Sequence, residues 1–373
     1  MDDPAALRKE LAPLDWAAKA CASLMAAYRP EELPPAGRWH YHQGVFLLGM
    51  QRLWEITGEE EYFDYVRGYV DHLVDANGAF ERERTELDSM QAGCLLFPIL
   101  ERTGDERYRK ALDGLIGQLA AFKRTRLGGF WHKEKYPHQQ WLDGLYMTGP
   151  VTVRYARLFG RPELFDLITL QARLLYDHTL DARTGLLRHA YDESRRADWA
   201  DPETGIAPEA WGRALGWFPA GLLDILDDLP PAHKDRKTLE AMVQNIMPAV
   251  VRVQDKTTGL WYQVLDKGDR ADNWLETSCS SLFVYSLCKG VRKGILEPGL
   301  LEPAVRGFKG TLGKTAMDAA GRLEIRDICI GTGVGDYEHY IYIRRAAKTN
   351  DLHGVGAFVL TCVELERVLA GAG

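Results

Sequence analysis

The sequence predicts an all-α protein, a six-hairpin (α/α)6 barrel. Three observations lead there: helical apolar spacing along nearly the whole chain, and two kinds of glycine punctuation alternating between the helical runs. The 373 residues are 46% hydrophobic and 27% charged, which suits one packed globular domain over 1–373. No Pro/Ser/Gly-rich linker divides them.

Taken in order, apolar residues at three- and four-residue spacing predict about twelve helices. They cover roughly 4–27, 41–57, 60–76, 86–103, 105–123, 142–159, 161–179, 208–228, 234–254, 275–294, 300–317 and 352–369. VFLLGMQRLWE (45–55) and WFPAGLLDILD (217–227) show the period well. Pro219 in the second requires a kink or an early turn. One junction type is a glycine stop followed by an acidic restart, at Gly58-Glu59, Gly104-Asp105 and Gly160–Glu163. Glycine suits the left-handed position after a helix, and an acid suits the next N-terminus. The other is a glycine turn before a hydrophobic residue, at Gly78, Gly129, Gly185, Gly259 and Gly321. Each interval holds one helical hairpin. Twelve helices in alternating inner and outer positions close a ring, whereas an open solenoid favours shorter, more regular repeats.

Composition narrows the partners. The net charge is −7 and no Lys/Arg-rich stretch occurs, which argues against nucleic acid or an anionic membrane. A small anionic substrate remains compatible, because a few local cations outweigh a weak global field. The start, MDDPAALRKE, lacks an apolar signal core, and no run is long and apolar enough to span a bilayer. A cytoplasmic protein is expected. The six scattered cysteines read as reduced core residues.

Stretches rich in Trp, Tyr, His and acids fall at loop-to-helix junctions: around Arg38–Gly44, Leu87–Met90, Phe130–Lys133, Trp141–Asp143, Arg188–Tyr191, Trp211–Trp217 and Gly331–Tyr337. In a hairpin barrel these junctions meet at one mouth. Aromatic faces with a few acids and an arginine suit a sugar, with Arg pairing a uronate carboxylate. Each residue also has a plain structural reading. Asp143 either opens a helix or works in a pocket walled by Trp141, Tyr146 and Met147. Asp88 follows Thr85 at capping-box spacing. Arg213 suits an inter-helix ion pair, and Trp211 and Trp217 suit core packing. His189 suits a loop histidine with two partners. His40 and His42 would not face each other on a helix, so no metal pair is expected. Gly331–Gly335 lacks the context of a phosphate loop, and no cofactor is expected.

HQQWLDGLYMTGP (138–150), PEAWGRALGWFPAGLLDIL (208–226), VLDKGDRADNWLETSCSSLFVYSLCKGVRKGIL (264–296) and DICIGTGVGDYEHY (327–340) resemble glycoside hydrolase family 105. RWHYHQGVFLLG, ELDSMQAG and GGFWHKEKYP resemble it too. These are unsaturated rhamnogalacturonyl hydrolases, relatives of the family 88 unsaturated glucuronyl hydrolases. The resemblance runs from about residue 30 to the C-terminus and is strongest for the bacterial cytoplasmic type.

It implies a monomeric (α/α)6 barrel acting on a small anionic disaccharide, unsaturated galacturonyl-rhamnose. It places the catalytic aspartate on Asp143 and a second active-site aspartate on Asp88. The substrate-binding candidates are His40, Tyr41, His132, Lys133, Trp141, Met147, His189, Trp211, Arg213, Trp217, Thr332 and Gly333. The implied reaction is hydration of the C4=C5 double bond by a protonated Asp143, with burial and Asp88 expected to raise its pKa. An unsaturated glucuronyl substrate and a non-catalytic sugar-binding protein are the competing readings. Asp88 and Asp143 in one pocket argue against the second.

Overall fold

The computed structural model describes residues 3–335 and 342–371. Its α-helices are α1 (Pro4–Leu11), α2 (Pro13–Ala27), α3 (Tyr41–Thr57), α4 (Glu60–Leu73), α5 (Leu96–Thr103), α6 (Glu106–Ala121) and α7 (Asp143–Phe159). They continue with α8 (Glu163–Thr179), α9 (Gly212–Asp228), α10 (Arg236–Arg252), α11 (Thr277–Arg292), α12 (Leu301–Leu312) and α13 (Leu352–Leu369). Four antiparallel strand pairs brace the loops: β1 (Gln139–Trp141) with β2 (Ala190–Asp192), and β3 (Trp261–Tyr262) with β4 (Leu275–Glu276). The others are β5 (Thr315–Met317) with β6 (Leu323–Ile325), and β7 (Ile328–Cys329) with β8 (Ala347–Lys348).

Each predicted helix is present, with three local differences. The 300–317 segment ends its helix at Leu312, and its last residues, Thr315–Met317, are strand β5. The first segment is cut at Ala12, which takes a left-handed φ of 43° before Pro13 opens α2. The 86–103 segment starts as a 3-10 stretch, Leu87–Leu95, and only then becomes α5. Pro219 sits inside α9, which continues past it. Gly58, Gly104 and Gly160 end their helices with positive φ, as the glycine-stop pattern predicts. In the turn pattern the left-handed residue is Gly128, one position before the expected Gly129.

The fold is an (α/α)6 barrel. The inner ring is α3, the Leu87–Thr103 segment, α7, α9, α11 and α13, and α13 returns to pack on α3. The outer helices α2, α4, α6, α8, α10 and α12 each lie against an inner one. Burial follows this order. The outer α8 buries Leu164, Phe165, Ile168, Ala172 and Leu175 at three- and four-residue spacing, while the inner α9 is buried on every side. Ring closure needs one close approach. A Cβ on Gly356 of α13 would lie 2.5 Å from the Phe46 backbone nitrogen in α3, so a larger residue would force the ring open.

All six cysteines are buried and free, matching the reading of core thiols. Among the described residues, no helix is long and apolar enough to cross a membrane.

Candidate active site

The N-terminal ends of the inner helices converge on one mouth. His40 precedes α3 and Tyr41 opens it; Asp88 sits in the 3-10 stretch; Asp143 opens α7; Trp211 precedes α9. Helix N-termini carry partial positive charge, so this end of the ring favours an anion. Between them lies a cavity of ≈ 270 Å³. Of the residues singled out by sequence, His40, Tyr41, Asp88, His132, Lys133, Trp141, Asp143, Met147, Trp211, Arg213, Thr332 and Gly333 line it. His189 lies directly behind Asp143.

Asp143 is the first residue of α7, and its Oδ2 is buried with no hydrogen bond. It therefore does not serve as a cap. His189 Nε2 faces that oxygen at 3.4 Å. On its other side, His189 Nδ1 meets the Tyr342 hydroxyl at 2.8 Å, and that hydroxyl also accepts from the Gly335 N–H at 3.3 Å. Burial alone would push the Asp143 carboxyl up, but His189 and His132 outweigh it and hold it below its ordinary value. This corrects the expectation of a raised pKa: the groups facing Asp143 favour its carboxylate form.

Asp88 is held more firmly. Its Oδ2 accepts from Lys133 Nζ at 2.6 Å, and His132 Nε2 lies 3.4 Å from Oδ1. Lys133 also donates to Glu86 at 2.7 Å, and His40 lies 3.5 Å from Glu86. Burial again raises the Asp88 pKa, but His132, Lys133 and His40 bring it down to about 2. The Thr85–Asp88 capping box does not form; the Thr85 hydroxyl donates to Glu83 instead.

Aromatic rings build the wall beside the two acids. Trp141 is stacked between His132, at 4.5 Å, and Tyr136, at 5.3 Å. Its indole N–H donates to Gln139. Strand β1 holds it in place by pairing Trp141 with Ala190 of β2. That pairing also brings His189, which precedes β2, to the back of Asp143.

Two expectations are corrected. Trp217 does not reach the cavity; it is buried inside the ring against Tyr146, with ring centroids 4.5 Å apart. Arg213 lines the cavity but has no free fork. Its guanidinium donates to the Cys329 and Ile330 carbonyls, contacts His353 Nε2 at 3.0 Å and lies over the Trp211 ring. It fastens the segment after β7 to the mouth, so a bidentate uronate pair there is not available without breaking those bonds.

The cavity also takes in His42, Lys135, Tyr136 and Arg345, which the sequence reading did not single out. His42 and Tyr136 lie within the quoted RWHYHQG and HKEKYP segments; only side-chain direction was missing. Lys135 lies in the second of those segments too, whereas Arg345 had no signal, because an isolated cation on a loop looks like any surface charge. Lining cations, Lys133, Lys135, Arg213 and Arg345, outnumber the carboxylates Asp88 and Asp143.

Against expectation the His40 and His42 rings meet edge to face at 4.9 Å, because His40 precedes α3, but their acidic neighbours differ: Glu86 and Asp88 for His40, Asp351 with His353 for His42. Lys133 already neutralises the first set, and Arg213 abuts the second through His353. The 336–340 part of the DICIGTGVGDYEHY segment lies outside the described residues.

A helical ring with two acids and stacked rings at one mouth has the makings of a carbohydrate-processing enzyme. Comparison with known proteins agrees. The family described as Glycosyl Hydrolase Family 88 matches residues 16–369. A family 105 glycoside hydrolase from C. acetobutylicum superposes with a TM-score of 0.89 at 36% identity, covering 94% of this chain and 99% of that one. A possible family 105 member from Klebsiella pneumoniae superposes with a TM-score of 0.77 at 25% identity, covering 88% and 82%. The unsaturated rhamnogalacturonyl hydrolase YesR of Bacillus subtilis is 25% identical over 270 residues, 70% of this chain and 72% of its own. The chain belongs to the family 88 and 105 group of glycoside hydrolases, and within it to family 105.

Proposed function

We propose that this glycoside hydrolase cleaves unsaturated galacturonyl-rhamnose by hydrating the C4=C5 double bond of its 4,5-unsaturated galacturonate. The observation that carries this reading is Asp143, buried at the start of α7 in the cavity that also holds Asp88, with His189 behind it. The excess of lining cations and the converging helix N-termini suit the uronate carboxylate. Similarity to YesR favours the rhamnose-linked substrate.

The unsaturated ring carries a vinyl ether, so one acid is enough. Asp143 donates a proton to C4, and positive charge develops at C5, shared with the ring oxygen. The Asp143 carboxylate then takes a proton from water as the water oxygen bonds to C5. The resulting hemiketal opens by breaking the bond between C5 and the ring oxygen, and C1 releases rhamnose. One water is consumed. The facing histidines keep Asp143 ionised, so its proton must arrive with the substrate. The substrate carboxylate supplies the cause: a second negative charge in a desolvated cavity raises the Asp143 pKa. Asp88, locked to Lys133 and His132, stays charged and stabilises the cationic centre.

Incubation with lyase-digested rhamnogalacturonan should remove the ultraviolet absorbance of the double bond and release rhamnose in equal amount. Unsaturated glucuronyl disaccharides from a glycosaminoglycan should react more slowly. Faster loss of absorbance from the glucuronyl set would change the assigned leaving sugar, and no loss from either would refute the hydration reading.

A further inference from the structure

The inner cavity does not end at its aromatic wall. A second basin of ≈ 660 Å³ adjoins it and shares Tyr136, Trp141 and Gly333 with it. Arg196, Asp198 and Trp199 line the far side of this basin. The inner cavity, at ≈ 270 Å³, is small beside the roughly 300–1,000 Å³ usual for small-molecule sites. It holds the reacting ring and leaves little space for what is attached to it. The leaving sugar must therefore project outward past the Trp141–Tyr136 edge, into the second basin.

The basin is built in the manner of a saccharide subsite. Trp199 packs at its floor on a small apolar cluster of Trp141, Ala190, Ala207 and Val334. The loop that carries Trp199 and Arg196 is pinned by Asp192, whose carboxylate accepts from the Arg196 and Ala197 backbone N–H groups at 3.0 and 2.8 Å. The Arg196 side chain is exposed, and only its backbone is used in that turn. Arg196 and Asp198 both line the basin.

We infer that this basin is a subsite for a longer substrate, an unsaturated oligosaccharide in which an acidic sugar follows the neutral leaving sugar. The neutral ring lies along the Trp141–Tyr136 edge. The next ring rests on Trp199, its carboxylate meets Arg196, and Asp198 accepts from hydroxyls. This inference rests on the hydration reading above. It adds that chain length is sensed outside the reacting cavity, by residues that do not touch the double bond.

The test compares an unsaturated disaccharide with the unsaturated tetrasaccharide from the same lyase digest, using the full chain. Wild-type protein should show a kcat/KM for the tetrasaccharide about tenfold above that for the disaccharide, as expected for one charge-assisted contact. Arg196→Gln should collapse that ratio toward one, mainly through KM. Trp199→Ala should lower it in the same direction, and circular dichroism reports whether that variant is folded. A wild-type ratio of one or less, or a ratio unchanged in Arg196→Gln, overturns the subsite while leaving the disaccharide reaction intact. Failure of wild-type protein on both substrates overturns the hydration reading and this inference with it.

Discussion

Both ends of the helix ring bury charged side chains, and they treat them oppositely. At the C-terminal ends of the inner helices, Lys289 is buried and donates to Asp224 at 2.5 Å and Asp227 at 2.6 Å. The Tyr285 hydroxyl donates to Asp224, Lys293 to Asp227, and Arg292 to Glu364. These charges meet direct partners at short distance. At the N-terminal mouth, Asp143 and His189 stand 3.4 Å apart, as do Asp88 and His132. There Asp143 Oδ2, His189 Nε2, His132 Nδ1 and His40 Nδ1 are buried without a hydrogen-bond partner. Buried polar atoms are normally satisfied, so a cluster of orphans at one mouth marks where an outside molecule completes the bonding. The C-terminal end ties helices together through direct ion pairs, and the mouth, where only Asp88 and Glu86 have such a partner in Lys133, holds the groups of the proposed chemistry.

That contrast can be broken by mutation. The largest effect should come at the mouth. Asp143→Asn should lose about 10²–10⁴-fold in turnover, the usual worth of general acid–base catalysis, with the melting temperature unlowered. Near wild-type loss of double-bond absorbance in this variant would remove Asp143 from the mechanism. Lys289→Met at the opposite end should do the reverse. It strands two carboxylates and should cost about 3–5 kcal/mol in urea unfolding, toward the lower figure because Asp227 is partly exposed. Turnover per folded molecule should hold, and a loss of turnover without loss of stability would contradict the division.

Trp217 tests the boundary between the two regions. Trp217→Phe should destabilise by about 1–3 kcal/mol as a large-to-small change in the ring core. KM should be unchanged; a raised KM with unaltered stability would return Trp217 to the sugar site. The smallest effect concerns pH. His189 holds the Asp143 pKa down against burial, so its removal lets burial dominate and the pKa rises. The proton donor then survives to higher pH. In His189→Ala the alkaline limb of the kcat/KM profile should move upward, whatever the variant does to the absolute rate. A limb that moves downward would show that His189 does not set the charge on Asp143.

Much of the barrel was legible because its signals are local. Helical spacing and the Gly58, Gly104 and Gly160 stops needed only neighbours in the chain. The gathering of Asp88, Trp141 and Asp143 followed from hairpins that close a ring. Side-chain direction was not local. Trp211 and Trp217 lie on the same helical segment, yet one faces the cavity and the other the core, and apolar spacing alone does not distinguish them.

By itself the sequence determined the helices and their glycine stops, and which chemical groups stand at the loop-to-helix junctions. Backbone propensity and hydrophobic period act over a few residues. Only the tertiary structure decided what those groups can do. Arg213 is occupied by carbonyls of Cys329 and Ile330, and His189 is oriented by Tyr342, both more than a hundred residues away along the chain. Asp143 is a carboxylate for the same reason. Its charge is the balance between burial and the histidines that face it, and that balance exists only once the ring has closed.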